Sequence, residues 1–318
     1  MGVVKADRSV NPIVSVCIAN YNGMGVINEC LDSVLHQSGG LAVEIIVHDD
    51  ASTDESVTHM RNNYPTVQLI ESTENVGFCV ANNRMAEAAS GEYLLLLNND
   101  AALHSDALVT FYEAASESGS PAILGIPQYD ADSGELLDNG CLLDPFLNPI
   151  PNKDLDRREV GMVMGACLWV PTRLWNELNG FPEWFGSIGE DLLLCARARL
   201  SGHPVQALGD SGYQHKVGKS FGGGKASQGH LSTTRRRRAL SERNKTFVML
   251  SCYPTPVIQL LLPIHLLLLH LEGGLLTLLH RDSSIWRHIY APLLPTIWWE
   301  RKRLSLLRQD IQAHRRAG

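Results

Sequence analysis

Residues 94–100 read Leu-Leu-Leu-Leu-Asn-Asn-Asp, an unbroken apolar run that stops on two amides and a carboxylate. Such a run suits a strand buried on both faces of a parallel sheet, and the carboxyl end of that strand is where these sheets present ligands. Asp100 would then stand at a rim and not in a core. A carboxylate fixed there by a rigid strand can hold a hard divalent cation against the phosphates of a nucleotide; the plainer alternative is a polar turn after a strand.

The chain before this run repeats the pattern. Residues 13–19 are short and rich in β-branched side chains, so they read as a first strand. They end in the turn cluster Asn20-Tyr21-Asn22-Gly23, and helical spacing follows at Ile27, Leu31, Val34 and Leu35. A second strand over 43–47 runs into His48-Asp49-Asp50-Ala51-Ser52-Thr53-Asp54, where Ser52 or Thr53 can cap a helix over 55–62. A third strand over 67–71 precedes Asn75-Val76-Gly77-Phe78 and a helix over 79–89. Strands alternating with helices at this pace imply right-handed βαβ units and a parallel sheet covered on both faces, a Rossmann-like α/β fold. Tyr21, Asp50 and Asp100 then gather at one rim, the expected place for a nucleotide. The sequence has neither Gly-x-Gly-x-x-Gly nor Gly-x-x-x-x-Gly-Lys, so a metal instead of a glycine-rich loop would hold the phosphates.

Beyond a helix near 106–117 and a strand near 122–126 the pattern weakens. Residues 128–160, rich in Asp, Asn, Gly and Pro, read as a hairpin or long loop over one side of the site. A strand over 163–170 carries Trp169, and the loop 180–186 carries Trp184; aromatic platforms here suit sugar rings or apolar acceptors, or simply pack. Gly189-Glu190-Asp191 opens a helix. Two carboxylates in a first turn complement the helix dipole, and one of them can equally serve as a general base aimed into a cleft. After a short strand over 204–208, His215 precedes Lys216, Lys219 and Gly222-Gly223-Gly224, which read either as a mobile lid with cations for a diphosphate or as a flexible surface loop.

Charge divides the chain in two. Residues 1–230 carry 13 Lys and Arg against 29 Asp and Glu, net −16, whereas residues 231–318 carry 14 against 5, net +9. An acidic body disfavours nucleic acid, and a basic, apolar tail suits an anionic membrane surface. Within the tail, residues 255–279 have the length of a membrane span, but Pro263, His265, His270, Glu272 and Gly273-Gly274 interrupt the run. Helices lying in the membrane interface, flanked by arginines and by Trp286, Trp298 and Trp299, fit better; a span and a homodimer contact are the alternatives. The seven cysteines form no Cys-x-x-Cys pair, which points to reduced thiols, and no N-terminal apolar run reads as a signal peptide.

Five blocks in order resemble the family-2 inverting glycosyltransferases of the GT-A fold, over roughly residues 11–220. They are Val14–Asn22, Val47–Asp54, Asn75-Val76-Gly77-Phe78, Gly91-Glu92-Tyr93 through Asp100, and Gly189-Glu190-Asp191 with His215. Within the family, the Leu-Asn-Asn-Asp-Ala motif and the tail are most similar to bacterial rhamnosyltransferase-like enzymes that extend lipid-linked cell-surface glycans. The resemblance implies a catalytic domain over 1–230, with a nucleotide-sugar half (about 11–127) and an acceptor half (about 128–230), and a membrane-associated helical extension over 231–318. It implies that Ala19, Tyr21, Asp50, Asn75, Gly77 and Asn99 bind the nucleotide sugar, with Lys216 and Lys219 as lid cations. Asp100 and His215 would ligate Mg²⁺ or Mn²⁺, Asp191 would be the general base with Glu190 beside it, and Trp169 and Trp184 would meet the acceptor. Asn98 stands where many relatives have the first Asp of Asp-x-Asp, which reduces the charge offered to the metal. The implied donor is dTDP-rhamnose, or alternatively a UDP-hexose or UDP-N-acetylhexosamine. The implied acceptor is a polyprenyl-diphosphate-linked glycan at the cytoplasmic face of the inner membrane. A nucleotidyltransferase of similar fold would carry a basic glycine-rich loop after the first strand, which Asn20-Tyr21-Asn22-Gly23 is not; a silent scaffold would have lost the base or the metal carboxylate.

Overall fold

The computed structural model describes residues 11–216, 223–227 and 230–316. In chain order the first half runs β1 (Val14–Asn20), α1 (Ile27–Leu35), β2 (Val43–Asp49), α2 (Ser56–Asn63), β3 (Gln68–Glu71), α3 (Phe78–Ala88), β4 (Tyr93–Asn98), β5 (Ala101–Leu103) and α4 (Ala107–Glu117). There follow β6 (Ile123–Gly125), β7 (Gln128–Asp130), β8 (Leu136–Asp138), β9 (Cys141–Leu143), β10 (Pro149–Pro151), β11 (Cys167–Pro171), α5 (Thr172–Glu177), α6 (Glu190–Leu200), β12 (Val205–Ala207) and β13 (Tyr213–His215). The main sheet has the order β12-β6-β11-β4-β1-β2-β3, parallel except where β11 runs antiparallel between β4 and β6.

β4 is the strand read from residues 94–97, and its side chains divide by parity. Leu94 and Leu96 join Cys17 and Ile46 in the core under α3 and α6, while Leu95 and Leu97 join Val16, Ile18 and Val47 in the core under α1 and α4. All four leucines are buried. Truncating one to Ala would cost about 2–5 kcal/mol, so this strand fixes the sheet end from which Asn98, Asn99 and Asp100 project.

A second, four-stranded sheet of order β5-β13-β7-β8 abuts that end. β13 pairs antiparallel with β5 in the register His215↔Ala101, which carries the imidazole to Asp100. The 128–160 region forms the β7–β8 pair and the β9–β10 pair, in keeping with the expected hairpin.

Past residue 230 come β15 (His230–Thr233), paired with β14 (Gly223–Ser227), then α7 (Arg235–Cys252), α8 (Thr255–His280) and a C-terminal helix over Leu293–Ala313. α7 packs into the body: Asn244 through Met249 are buried, and Phe247, Val248 and Met249 share the core with Leu192–Cys195. The C-terminal helix is tied back as well, through Arg197–Asp310 at 2.7 Å and Arg308 donating to the carbonyls of Leu250 and Tyr253. The boundary drawn from charge at residue 230 therefore falls ahead of a helix that completes the core.

α8 is long and apolar enough to cross a membrane by length and composition, and only 17% of its most apolar window is buried. Two of its polar groups meet neighbouring helices: His265 meets Thr246 at 2.9 Å, and Glu272 accepts from Arg238 at 2.7 Å and from the Tyr290 hydroxyl at 3.2 Å. Its outward stripe, Leu260, Leu267, Leu271, Leu275 and Leu278, is exposed.

Candidate active site

The loops after β1 and β2 are stitched into one frame. Asn20, fully buried, donates from Nδ2 to Asp49 Oδ2 at 2.8 Å and to Ser56 Oγ at 3.1 Å, and its Oδ1 accepts from Asn99 Nδ2 at 3.0 Å. Asn22 Oδ1 accepts from Thr53 N, and Asn22 N donates to Ser52 Oγ. Gly23 is required by this packing, because a Cβ there would lie 2.0 Å from Asn20 Oδ1 and 2.5 Å from Asn99 Nδ2. Tyr21 stands exposed at the rim. Asp50, buried beside it, receives the backbone N–H groups of Val76 (2.6 Å) and Gly77 (2.9 Å), one on each oxygen. Its first role in the fold is thus to anchor the 75–77 turn, where Gly77 takes φ +87°. Asn75 is exposed on that turn.

Next to this frame lies a cavity of about 490 Å³, a size suited to a cofactor or nucleotide-sized ligand. Ala19, Asn98, Asn99, Asp100, Glu190, Asp191 and His215 line it together, so four separated stretches of sequence converge there. Asp100 Oδ1 and His215 Nε2 are 3.0 Å apart, and Asp100 is almost wholly buried. His215 Nδ1 is buried without a hydrogen-bond partner. A carboxylate oxygen and an imidazole nitrogen side by side on a cavity wall fit two positions of a divalent cation. Among the described residues no group of three or more such ligands occurs, so the remaining positions would fall to oxygens of a bound diphosphate and water.

The same cavity is lined by Glu190 and Asp191 at the start of α6. Asp191 Oδ2 accepts from Gly165 N at 3.0 Å and Oδ1 from Leu192 N at 2.8 Å, which fixes the carboxylate toward the cavity. Loss of solvent pushes its pKa up against these backbone bonds, which pull it down. Glu190 is pushed up as well, by burial first and by the Asp191 charge second, and its Oε2 has no partner. Two adjacent carboxylates, Glu190 buried and Asp191 half-buried, resist ionising together, so one of them holds a proton more readily than an isolated carboxylate. The Asp191 position depends on a strained approach: Ile188 takes φ +68° and Gly189 φ +87°. A β-branched residue in that region costs about 1–3 kcal/mol and persists only where its surroundings hold it. Asn244 of α7 does so, donating to the carbonyls of Phe185, Ser187 and Ile188.

Three expected contacts are corrected. Trp169 does not face an acceptor: it is completely buried, stacked between Tyr93 (4.9 Å) and Phe111 (5.1 Å). In register it sits opposite Leu95, which sends it to the α1–α4 side of the sheet, away from the cavity. Trp184 packs in an aromatic cluster with Phe185 and Phe247 and is not part of the cavity wall. Lys216 turns its ammonium to Glu29 of α1, outside the cavity, and Lys219 lies outside the described residues. The sequence reading also missed Asn20, Gly165 and the α7 residues Arg237, Arg238 and Lys245, which line the cavity or fix its carboxylates. The one available signal was the basic run 235–238, taken as a membrane feature.

Comparison with known proteins agrees with this geometry. Residues 15–169 match the model of glycosyl transferase family 2. The chain is 37% identical over 210 residues to the poly(ribitol-phosphate) beta-glucosyltransferase of Bacillus spizizenii, covering 64% of this chain and 32% of that protein. To the hyaluronan synthase of Pasteurella multocida it is 34% identical over 183 residues, covering 56% and 18%. The chain spans 25% to 34% of the length of the first curated relatives it matches. Among solved structures, S. aureus TarS 1-349 in complex with UDP superimposes with TM-score 0.54 at 18% identity, covering 76% of this chain and 66% of that one. The mannosyltransferase of Pyrobaculum calidifontis in complex with GDP-Man and Mn²⁺ gives TM-score 0.54 at 17% identity, covering 98% and 88%. These structures share the GT-A fold, and the sequence match supplies the family for the stretch it covers: residues 15–169 form a glycosyl transferase family 2 domain.

Proposed function

We propose that the protein transfers a sugar from a nucleoside diphosphate to an acceptor hydroxyl with inversion at the anomeric carbon, and that Asp191 is the base. The observation that carries this is that the Asp100–His215 pair and the Glu190–Asp191 pair line one cavity. Asp191 takes the proton of the acceptor hydroxyl, whose oxygen forms a bond to the anomeric carbon as the bond to the diphosphate oxygen breaks and the diphosphate leaves with the electron pair. A single carboxylate suffices, since the leaving group needs no proton. Asp100 and His215 would hold a divalent cation, which when bound neutralises charge on the diphosphate. Arg237, on the same cavity wall, adds a fixed positive charge near both carboxylates.

The donor we propose is a pyrimidine nucleoside-diphosphate hexose. The Leu-Asn-Asn-Asp-Ala form of the motif supports dTDP-rhamnose, while the glucosyltransferase relative and the UDP-bound neighbour support a UDP-hexose or UDP-N-acetylhexosamine. A lipid-linked glycan acceptor at the cytoplasmic face of the membrane is supported by the one-sided apolar face of α8, which suits a helix lying in an interface better than one surrounded by lipid. A panel of dTDP-rhamnose, UDP-glucose, UDP-N-acetylglucosamine and GDP-mannose, titrated with and without Mn²⁺, tests the reading. Metal-dependent binding of one pyrimidine donor is expected; the absence of binding to all four would reject it.

A further inference from the structure

The arginine run at 235–238 is divided between two cavities. Arg237, Arg238, Ser241, Glu242 and Lys245 line the cavity of the catalytic carboxylates. Arg235, Arg236, Ala239, Leu240 and Arg243, two residues back along the helix and spaced alike, line a second cavity of about 510 Å³ on the opposite face of α7. With a period of 3.6 residues per turn these two sets form separate stripes, so α7 is the wall shared by both spaces. The far side of the second cavity is built by His288, Ile289, Pro292, Leu293 and Thr296, where the chain turns into the C-terminal helix.

The chemistry of this second space is uneven. Three arginines and a histidine line it and no carboxylate does, while Leu240, Ile289, Pro292 and Leu293 give it an apolar floor. Arg235 is steadied by Asp282, and Arg243 donates to the Phe185 carbonyl, so the cationic rim is braced by the fold. Beyond it lie exposed Leu294, Trp298 and Trp299 on the C-terminal helix, the residue types that settle at a membrane surface. A cavity lined by cations and by apolar side chains, in part from the same helix as the exposed tryptophans, complements an amphiphile with an anionic head.

We propose that this cavity binds the phosphate headgroup of an anionic membrane lipid, with Arg235, Arg236 and His288 around the phosphate and the first methylenes of the chain against Leu240 and Leu293. The inference rests on the membrane-surface reading for the source of the lipid and is independent of the sugar-transfer chemistry. It also makes α7 a mechanical link, since the helix that would meet the headgroup also carries Asn244, which holds the loop before Asp191.

Calorimetric titration of the full chain with dihexanoyl-phosphatidylglycerol, dihexanoyl-phosphatidylcholine and inorganic phosphate tests it, with UDP-sugar and dTDP-rhamnose titrations run alongside as a separate readout of the catalytic cavity. Saturable binding of the phosphatidylglycerol is expected, with no saturable binding of the phosphatidylcholine and weaker binding of phosphate. The Arg235→Gln/Arg236→Gln double variant should bind roughly 30-fold more weakly, since each surface cation contributes about fivefold. Thr296→Phe, which fills the cavity and leaves every charge in place, should weaken phosphatidylglycerol binding and leave the nucleotide-sugar titration unchanged. Equal affinity for both lipids, phosphate binding as tight as the lipid, or wild-type lipid affinity in Thr296→Phe would each overturn the proposal. Loss of nucleotide-sugar binding in the wild type would instead count against the transferase reading alone.

Discussion

Asp191→Asn is expected to lower sugar transfer by about 10²–10⁴-fold, the usual contribution of a positioned general base, with the affinity for the nucleotide sugar retained. The amide keeps the shape of the carboxylate but offers one acceptor oxygen to the two backbone N–H groups of Gly165 and Leu192. A stability loss of about 1 kcal/mol should accompany the substitution, far too little to explain the rate. The pH profile supplies a second check. Burial raises the Asp191 pKa, and the base must be unprotonated to accept the acceptor proton, so transfer should climb with pH through that raised value and level off above it. In Asp191→Asn the climb should vanish along with the rate. Wild-type transfer by the variant would remove Asp191 from the chemistry.

Asp100→Ala is expected to abolish the gain in donor affinity produced by Mg²⁺ or Mn²⁺ and to lower transfer by about 10²–10³-fold, the range seen when a charge-stabilising contact to a leaving group is removed. The side chain projects from the end of β4 beside His215, so its truncation leaves the leucine core of that strand untouched. Titrating the nucleotide sugar at fixed metal concentration reads the effect directly. Unchanged metal dependence would separate the Asp100–His215 pair from the cation.

The two substitutions probe one cavity, and they differ in how far the sequence exposed them. β4 and Asp100 were legible because a strand buried on both faces reads as a continuous apolar run, and the first polar residues after it must lie at the sheet end. Glu190 and Asp191 were legible as the first turn of a helix, and only the folded chain brings them to the cavity that Asp100 also lines. Trp169 was misread because residues 163–170 alone do not reveal the parity of their strand; only pairing with Leu95 assigns the indole to the far side of the sheet. Lys216 was misread for a related reason, since the path of the chain after β13 turns it toward α1. Asn20 and Asn244 left no periodic trace at all. Each is a buried amide whose value lies in partners 29 to 79 and 56 to 59 residues away, and such long-range satisfaction of polar groups is invisible to local pattern. Charge composition does not reveal that α7 bears arginines on its first turn and core residues further along, so that one helix serves the surface, the cavity and the core.

The central claim is a direct displacement in which Asp191 is the only base and no covalent intermediate forms on the protein. The anomeric configuration of the newly formed linkage, read by proton NMR at first turnover from a donor of known configuration, tests it most directly. The account predicts a product of opposite configuration to the donor; retention of configuration would contradict it.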